Sequence, residues 1–311
     1  MQDEPDNQKS MAALQQACQL LGQRQYAQAE SILRHFLTSF PNHAQANQLL
    51  GVAAAEQGRF DEGIGIIRKS LLLNPGNVPM RKYLAGLCQA HGHAEEAIQE
   101  YRHIIKLAPD AAEAYANLGK LLLEKRQHDE AQTMLLKASE LAPDRPEILN
   151  DVGVCFLKRN RAAEAETHFR RAIGLKEEYA IAHSNLGTVL HLQGQPESAE
   201  FELRRAIRLN PGYLPSYASL SVILRDSDRL EQAMAVICKA LDLDPDSPHA
   251  RHILGTILYD MKRFGEALSE LLRALHTAGD NVRIMMDLAH VYHELDRLDD
   301  ASVLIDRAMG L

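Results

Sequence analysis

Prolines in this sequence fall on a lattice. Pro41, Pro75, Pro109 and Pro143 stand 34 residues apart, and Pro211 and Pro245 continue the spacing. Glu177 and Gly279 occupy the two lattice points that lack proline. A period of this length is the mark of an architecture built from one repeated supersecondary unit, and it constrains the fold more than any other feature of the chain. With proline taken as position 32, the chain divides into nine repeats: 10–43, 44–77, 78–111, 112–145, 146–179, 180–213, 214–247, 248–281 and 282–311. Residues 1–9 precede the first repeat and are expected to form a disordered tail.

Columns that played no part in placing the lattice obey it. Position 20 is Ala29, Gly63, Ala97, Ala131, Ala165, Ala199, Ala233, Ala267 and Ala301. Position 8 is Ala17, Gly51, Ala85, Gly119, Gly153, Gly187, Ser221, Gly255 and Ala289. Small residues at both places allow two helices of one repeat to approach backbone to backbone. Large apolar residues recur at helical spacing between them, with Leu or Val at position 7 from repeat 2 onward and Leu33, Ile67, Tyr101, Leu135, Phe169, Leu203, Ile237, Leu271 and Ile305 at position 24. Each repeat therefore reads as helix, short turn, helix. Gly58, Gly92 and Gly194-Gln-Pro196 mark turns, and the position-32 proline stops the second helix. The fold class expected is all-α.

Composition agrees and narrows the function. Aromatics make up 5% with no Trp, which suits helices packed through small side chains. Lys and Arg number 34 against 42 Asp and Glu, a formal charge of −8 that repels phosphate backbones, so nucleic acid is not an expected partner. Cys18, Cys88, Cys155 and Cys238 lie far apart with no CxxC pair and fit neither a disulfide framework nor a zinc ribbon. The acidic start, Met1-Gln-Asp-Glu-Pro-Asp, lacks the pattern of a secretory signal, and no apolar run approaches membrane-spanning length. A cytoplasmic protein without membrane insertion is the expectation.

The repeat resembles the tetratricopeptide family over residues 10–311. The family pattern stands in repeat 4 as Leu118-Gly119, Leu122, Ala131, Leu135, Ala138 and Pro143. The resemblance implies a right-handed α-solenoid of helix-turn-helix units. Three places depart from the pattern. Position 27, usually Ala, is Phe36, Ser70 and Ile104 in the first three repeats, and position 7 of the first repeat is the polar Gln16. The last repeat ends in a helix carrying Val303, Leu304, Met309 and Leu311, more apolar residues than one face buries, and this edge is expected to be covered by a partner or a second copy.

In the tetratricopeptide family, positions 2, 5, 6, 9, 12 and 13 face a concave groove. Position 6 here is Gln15, Leu49, Tyr83, Asn117, Asp151, Asn185, Ser219, Ile253 and Asp287, and position 9 supplies Lys120 and Thr188. The candidate partner-binding residues are Gln15, Tyr83, Asn117, Lys120, Asp151, Asn185, Thr188, Ser219 and Asp287. Asn117 and Asn185, each in Asn-Leu-Gly, resemble the asparagine ladder in the repeat region of O-linked N-acetylglucosamine transferases, where side-chain amides clamp a peptide backbone. The alternative is that these amides tie neighbouring helices together. The carboxylate clamp of chaperone-binding repeats is missing, since Glu113 and Ile181 stand where it needs a basic residue.

His249 with His252, and His290 with His293, are pairs at i,i+3 that could share a metal, but no further ligand completes a signature, and surface histidines are the expectation. Gly63-Ile-Gly65 lacks the third glycine of a nucleotide loop, and His293-Glu294 lacks the second His of a zincin. The bases Lys158, Arg159, Arg161, Arg170, Arg171, Arg204, Arg205 and Arg208 lie mostly on second helices without interleaved aromatics and read as a solvated convex face. The function expected is a non-catalytic scaffold that binds protein or peptide segments in its groove, with no cofactor and no metal. The alternatives are the substrate-recruiting region of a larger glycosyltransferase-like enzyme and a self-assembling homo-oligomer.

Overall fold

The computed structural model describes residues 3–310, with side chains from residue 11 onward. Eighteen α-helices account for the described residues, and they pair as the lattice requires. Two compact bodies form, divided between Pro143 and Asp144. The first holds α1 (Asp3–Gly22), α2 (Tyr26–Ser39), α3 (Ala44–Glu56), α4 (Phe60–Leu73), α5 (Val78–Ala90), α6 (Ala94–Leu107), α7 (Ala112–Glu124) and α8 (His128–Leu141). The second holds α9 (Pro146–Lys158), α10 (Ala162–Leu175), α11 (Ala180–Leu192), α12 (Pro196–Leu209), α13 (Leu214–Asp226), α14 (Leu230–Leu243), α15 (Pro248–Asp260), α16 (Phe264–Ala278), α17 (Val282–Glu294) and α18 (Leu298–Met309). Helix α1 begins at Asp3, inside the segment expected to be a disordered tail; acidic residue types and proline are both favoured in a helix's first turn.

Within each repeat the odd helix lies on the even helix through the two small columns. A Cβ added to Gly187 would sit 2.6 Å from Leu203 Cγ and 3.0 Å from the Ala199 carbonyl oxygen. Positions 8, 20 and 24 therefore form one contact, small on both backbones with a large side chain laid across. Ala165, Ala199, Phe169 and Leu203 are fully buried there. The departures at position 27 are also buried, and Phe36 joins Leu14, Leu33 and Leu50 in one cluster. Gln16 is exposed, as a polar residue in that column should be.

The turn inside the repeat has one geometry throughout. Position 15 is left-handed in every repeat, but only Gly58, Gly92 and Gly194 are glycine; Arg24, Arg126, Asn160, Asp228, Lys262 and Asp296 hold φ of 57–60°. In repeat 4 the Gln127 amide donates to the Leu122 carbonyl at 2.8 Å and the Arg126 amide to the Leu123 carbonyl at 3.1 Å, the double closure of a Schellman cap. Both bonds require the left-handed residue, so the geometry persists where the side chain does not favour it.

A second device joins consecutive repeats. At five of the junctions the carbonyl at position 32 accepts a hydrogen bond from a side chain at position 4 of the next repeat. Asn47 reaches Pro41 at 3.1 Å, Arg81 reaches Pro75 at 2.9 Å, His183 reaches Glu177 at 2.9 Å, and the Tyr217 hydroxyl reaches Pro211 at 2.9 Å. Arg251 does the same to Pro245. Where the donor is cationic, position 23 supplies a carboxylate: Arg81 meets Glu100, Arg251 meets Glu270 and His183 meets Glu202, each at 2.6 Å. Both ring nitrogens of His183 face acceptors, the Glu202 carboxylate and the Glu177 carbonyl, so the ring spans the same two groups that the arginines span.

Candidate protein-binding face

Within each body odd helices of neighbouring repeats meet, α1 with α3 in the first and α9 through α17 in succession in the second. In the first body the Tyr83 hydroxyl donates to the Glu56 carboxylate at 3.1 Å. In the second, Asn185 Nδ2 donates to Asn150 Oδ1 at 2.8 Å, Ser219 and Thr188 share a bond at 3.2 Å, and Asp287 accepts from His252 Nε2 at 2.5 Å. Each of these position-6 residues is tied to the odd helix of the preceding repeat. Asn117 is turned to the Tyr101 hydroxyl. Lys120 and Asp151 are half-buried and also engaged, while Gln15 is exposed on α1. Both asparagines of the expected ladder are thus committed inside the repeat stack.

What the ties leave open is a cavity of about 600 Å³ across α11, α13 and α15. Its apolar wall is Leu214, Pro215, Ala218, Val222 and Ile253, and its polar rim carries Thr188, Ser219, Thr256, His249 and Arg283. These stand at positions 2, 5, 6 and 9, apart from Leu214 at position 1, so the groove positions of the resemblance converge here. Thr188 and Ser219 were expected at the site; the apolar wall was not. A signal for it existed in the sequence, because positions 2, 5 and 9 of repeat 7 read Pro215, Ala218 and Val222, and Ile253 breaks the polar run of position 6. A smaller cavity of about 290 Å³ adjoins through Arg225, Thr256 and Arg283 and adds Tyr259, Asp260, Asp287 and His290.

The charges around this face are mostly spoken for. Arg225 donates to Thr256 at 3.0 Å and meets Asp226 at 3.1 Å and Asp260 at 3.6 Å. His191 bonds the same Asp226 at 3.1 Å. Burial pushes the Asp260 carboxyl up, Arg225 opposes that rise, and Asp226, Asp228 and Asp287 add to it. His249 is held below the ordinary imidazole range, first by burial and then by the charges of His252 and Arg283.

One expectation about the histidines needs correction. His252 was expected on the surface, yet it is 9% exposed and bonded to Asp287. The reason is the packing of odd helices, which places position 5 of one repeat against position 6 of the next, as Asn150 and Asn185 also show. His290 and His293 are exposed. Among the described residues, no three His, Cys, Asp or Glu side chains gather as a metal site. No helix described is long and apolar enough to cross a membrane.

At the far end of the second body, Val303 and Met309 are 67% and 73% exposed. Leu304, expected to be equally uncovered, is instead half-buried against Ala289, Tyr292 and Ala301, because its turn of α18 faces α17. Leu311 lies outside the described residues.

Comparison with known proteins agrees with the architecture. A tetratricopeptide repeat protein from Parabacteroides merdae superimposes with a TM-score of 0.69 at 14% identity, over 86% of this chain and 98% of its own. The Cut9–Hcn1 hetero-tetramer of the APC/C matches with a TM-score of 0.65 at 15% identity, over 95% of this chain and 55% of that one. Pseudomonas aeruginosa pilF matches at 0.54 and 22% identity, over 63% and 89%. At such identities the likeness concerns fold alone. No curated protein matches the sequence. The family model of the Cilia and flagella-associated protein 70 C-terminal domain matches residues 6–292, from within α1 to within α17, and this chain belongs to that tetratricopeptide-repeat family.

Proposed function

We propose that this chain is a non-catalytic interaction scaffold that holds an extended or helical segment of a partner protein against its odd-helix face. The cavity across α11, α13 and α15 is the anchoring point. The observation that carries this reading is the cavity's make-up: an open apolar wall of Leu214, Pro215, Val222 and Ile253 with hydroxyls at its edge, in a stack whose other polar side chains are largely committed to one another. A bulky apolar side chain of a partner buried there gains about 1.5–3 kcal/mol, and the rim hydroxyls can serve its backbone. Family resemblance supports the same face, since tetratricopeptide grooves use these positions.

The even helices suit this role less. Their bases are paired, Arg161 with Glu164, Arg170 with Glu166, Arg204 with Glu200 and Arg205 with Glu177, which leaves few uncommitted cations for a phosphate backbone. Partner recovery from extract by the intact chain and by Val222→Glu tests the proposal. The variant should keep its helical circular dichroism and lose the partner. Equal recovery by both would contradict the reading.

A further inference from the structure

We propose that the cavity selects a linear peptide segment in which an apolar side chain is accompanied by a carboxylate, the apolar group lodging against Val222 and Ile253 and the carboxylate meeting Arg283. The inference rests on the proposed function and adds the chemistry of the partner.

Arg283 sits at position 2 of α17 and reaches back to line both adjoining cavities. Its guanidinium has no hydrogen-bond or ion-pair partner among the described residues. The other basic side chains of this face are engaged: Arg225 by Asp226 and Asp260, His191 by Asp226, and His252 by Asp287. Asp226 and Asp260 share Arg225, and Asp287 bonds His252, so each of these carboxylates already has a donor. In a chain of formal charge −8, an uncommitted guanidinium stands at the rim of this apolar cavity. A carboxylate brought there gains a charge-assisted, bidentate contact partly shielded from water, where such a contact is stronger than on open surface. His249, near enough to feel the Arg283 charge, adds a ring N–H or a lone pair to the same rim.

Spacing follows from the scaffold. Helix axes lie about 8–10 Å apart, and an extended peptide advances about 3.3 Å per residue. The carboxylate therefore falls about three residues from the apolar anchor, on the side towards α17. A lysine or arginine at that place would meet like charge, which makes the preference one of sign as well as of fit.

Selection of a displayed library of random linear peptides on the intact chain tests this, followed by affinity measurements with the recovered peptides. Expected is a consensus of one large apolar residue with Asp or Glu about three residues away, captured by the unaltered chain and not by Val222→Glu. Arg283→Glu, an exposed change with little bearing on folding, should weaken these peptides by about tenfold or more and favour versions with Lys in place of the acid. Peptides that need Val222 but show no acidic preference and ignore Arg283→Glu would overturn this inference and leave the groove reading in place. If no recovered peptide depends on Val222, the groove reading fails and this inference with it.

Discussion

Arg251 and Glu270 form a buried pair at 2.6 Å that fastens repeat 8 to the loop before it, because the same guanidinium also donates to the Pro245 carbonyl. Arg251 and Glu270 side chains are only 8% and 17% exposed, so removing one partner strands the other. Arg251→Ala is expected to destabilise the protein by about 3–5 kcal/mol. Arg251→His, copying His183 at the equivalent place, should recover a good part of that loss. Urea unfolding of the two variants measures the difference.

The turn residue offers a gain in stability. Arg126 holds φ of 59° with a Cβ that this region disfavours, whereas Gly194 occupies the equivalent place at 74° without that cost. Arg126→Gly should stabilise by about 0.5–1 kcal/mol, and Gly194→Ala should destabilise by a similar amount. Thermal melts of both variants, moving in opposite directions, are the check.

Close helix contact is tested at the small columns. Ala165 is fully buried beside Phe169, and Ala165→Leu should cost about 1–3 kcal/mol by overpacking. Glu164→Gln, one residue away on a side chain 43% exposed, should change stability by less than about 1 kcal/mol. Melting of the two variants at one temperature would place the repeat in the wrong register.

Acid should loosen the first body through Glu30. Burial would raise its carboxyl, but hydrogen bonds from Arg59, Gln57 and Arg34 outweigh that and bring it down to about 2. A carboxylate lowered on folding contributes stability above its ordinary range and loses it as pH falls through the folded value. The contribution should therefore fade between about pH 4.5 and pH 2. Glu30→Gln should lower the melting temperature at neutral pH and flatten its dependence across that window.

The lattice, the helix pairs and the small columns were legible because each depends on residue size or on proline, and both recur. The position-4 fastening was not, since Asn47, Arg81, His183, Tyr217 and Arg251 share no size or charge and have in common only an N–H or O–H able to reach the carbonyl at position 32. The left-handed position 15 was hidden for a similar reason: Arg24, Arg126 and Lys262 are not turn-forming residue types, and the Schellman bonds impose the geometry on them. Several residues of column 6 fell at contacts between odd helices. A period shows which residues lie at a contact between odd helices but not which of them bond across it, so Asn185 looked free until Asn150 stood opposite. The apolar wall spans α13 and α15, which α14 separates in sequence, and only packing assembles it.

Site-specific photocrosslinking tests the central claim most directly. A benzophenone amino acid placed at Val222, on the cavity wall, is compared with one at Arg171, exposed on even helix α10, in the presence of whole-cell extract. The account predicts a discrete partner adduct from position 222 and little or none from position 171. Adducts from position 171 with none from position 222 would contradict it.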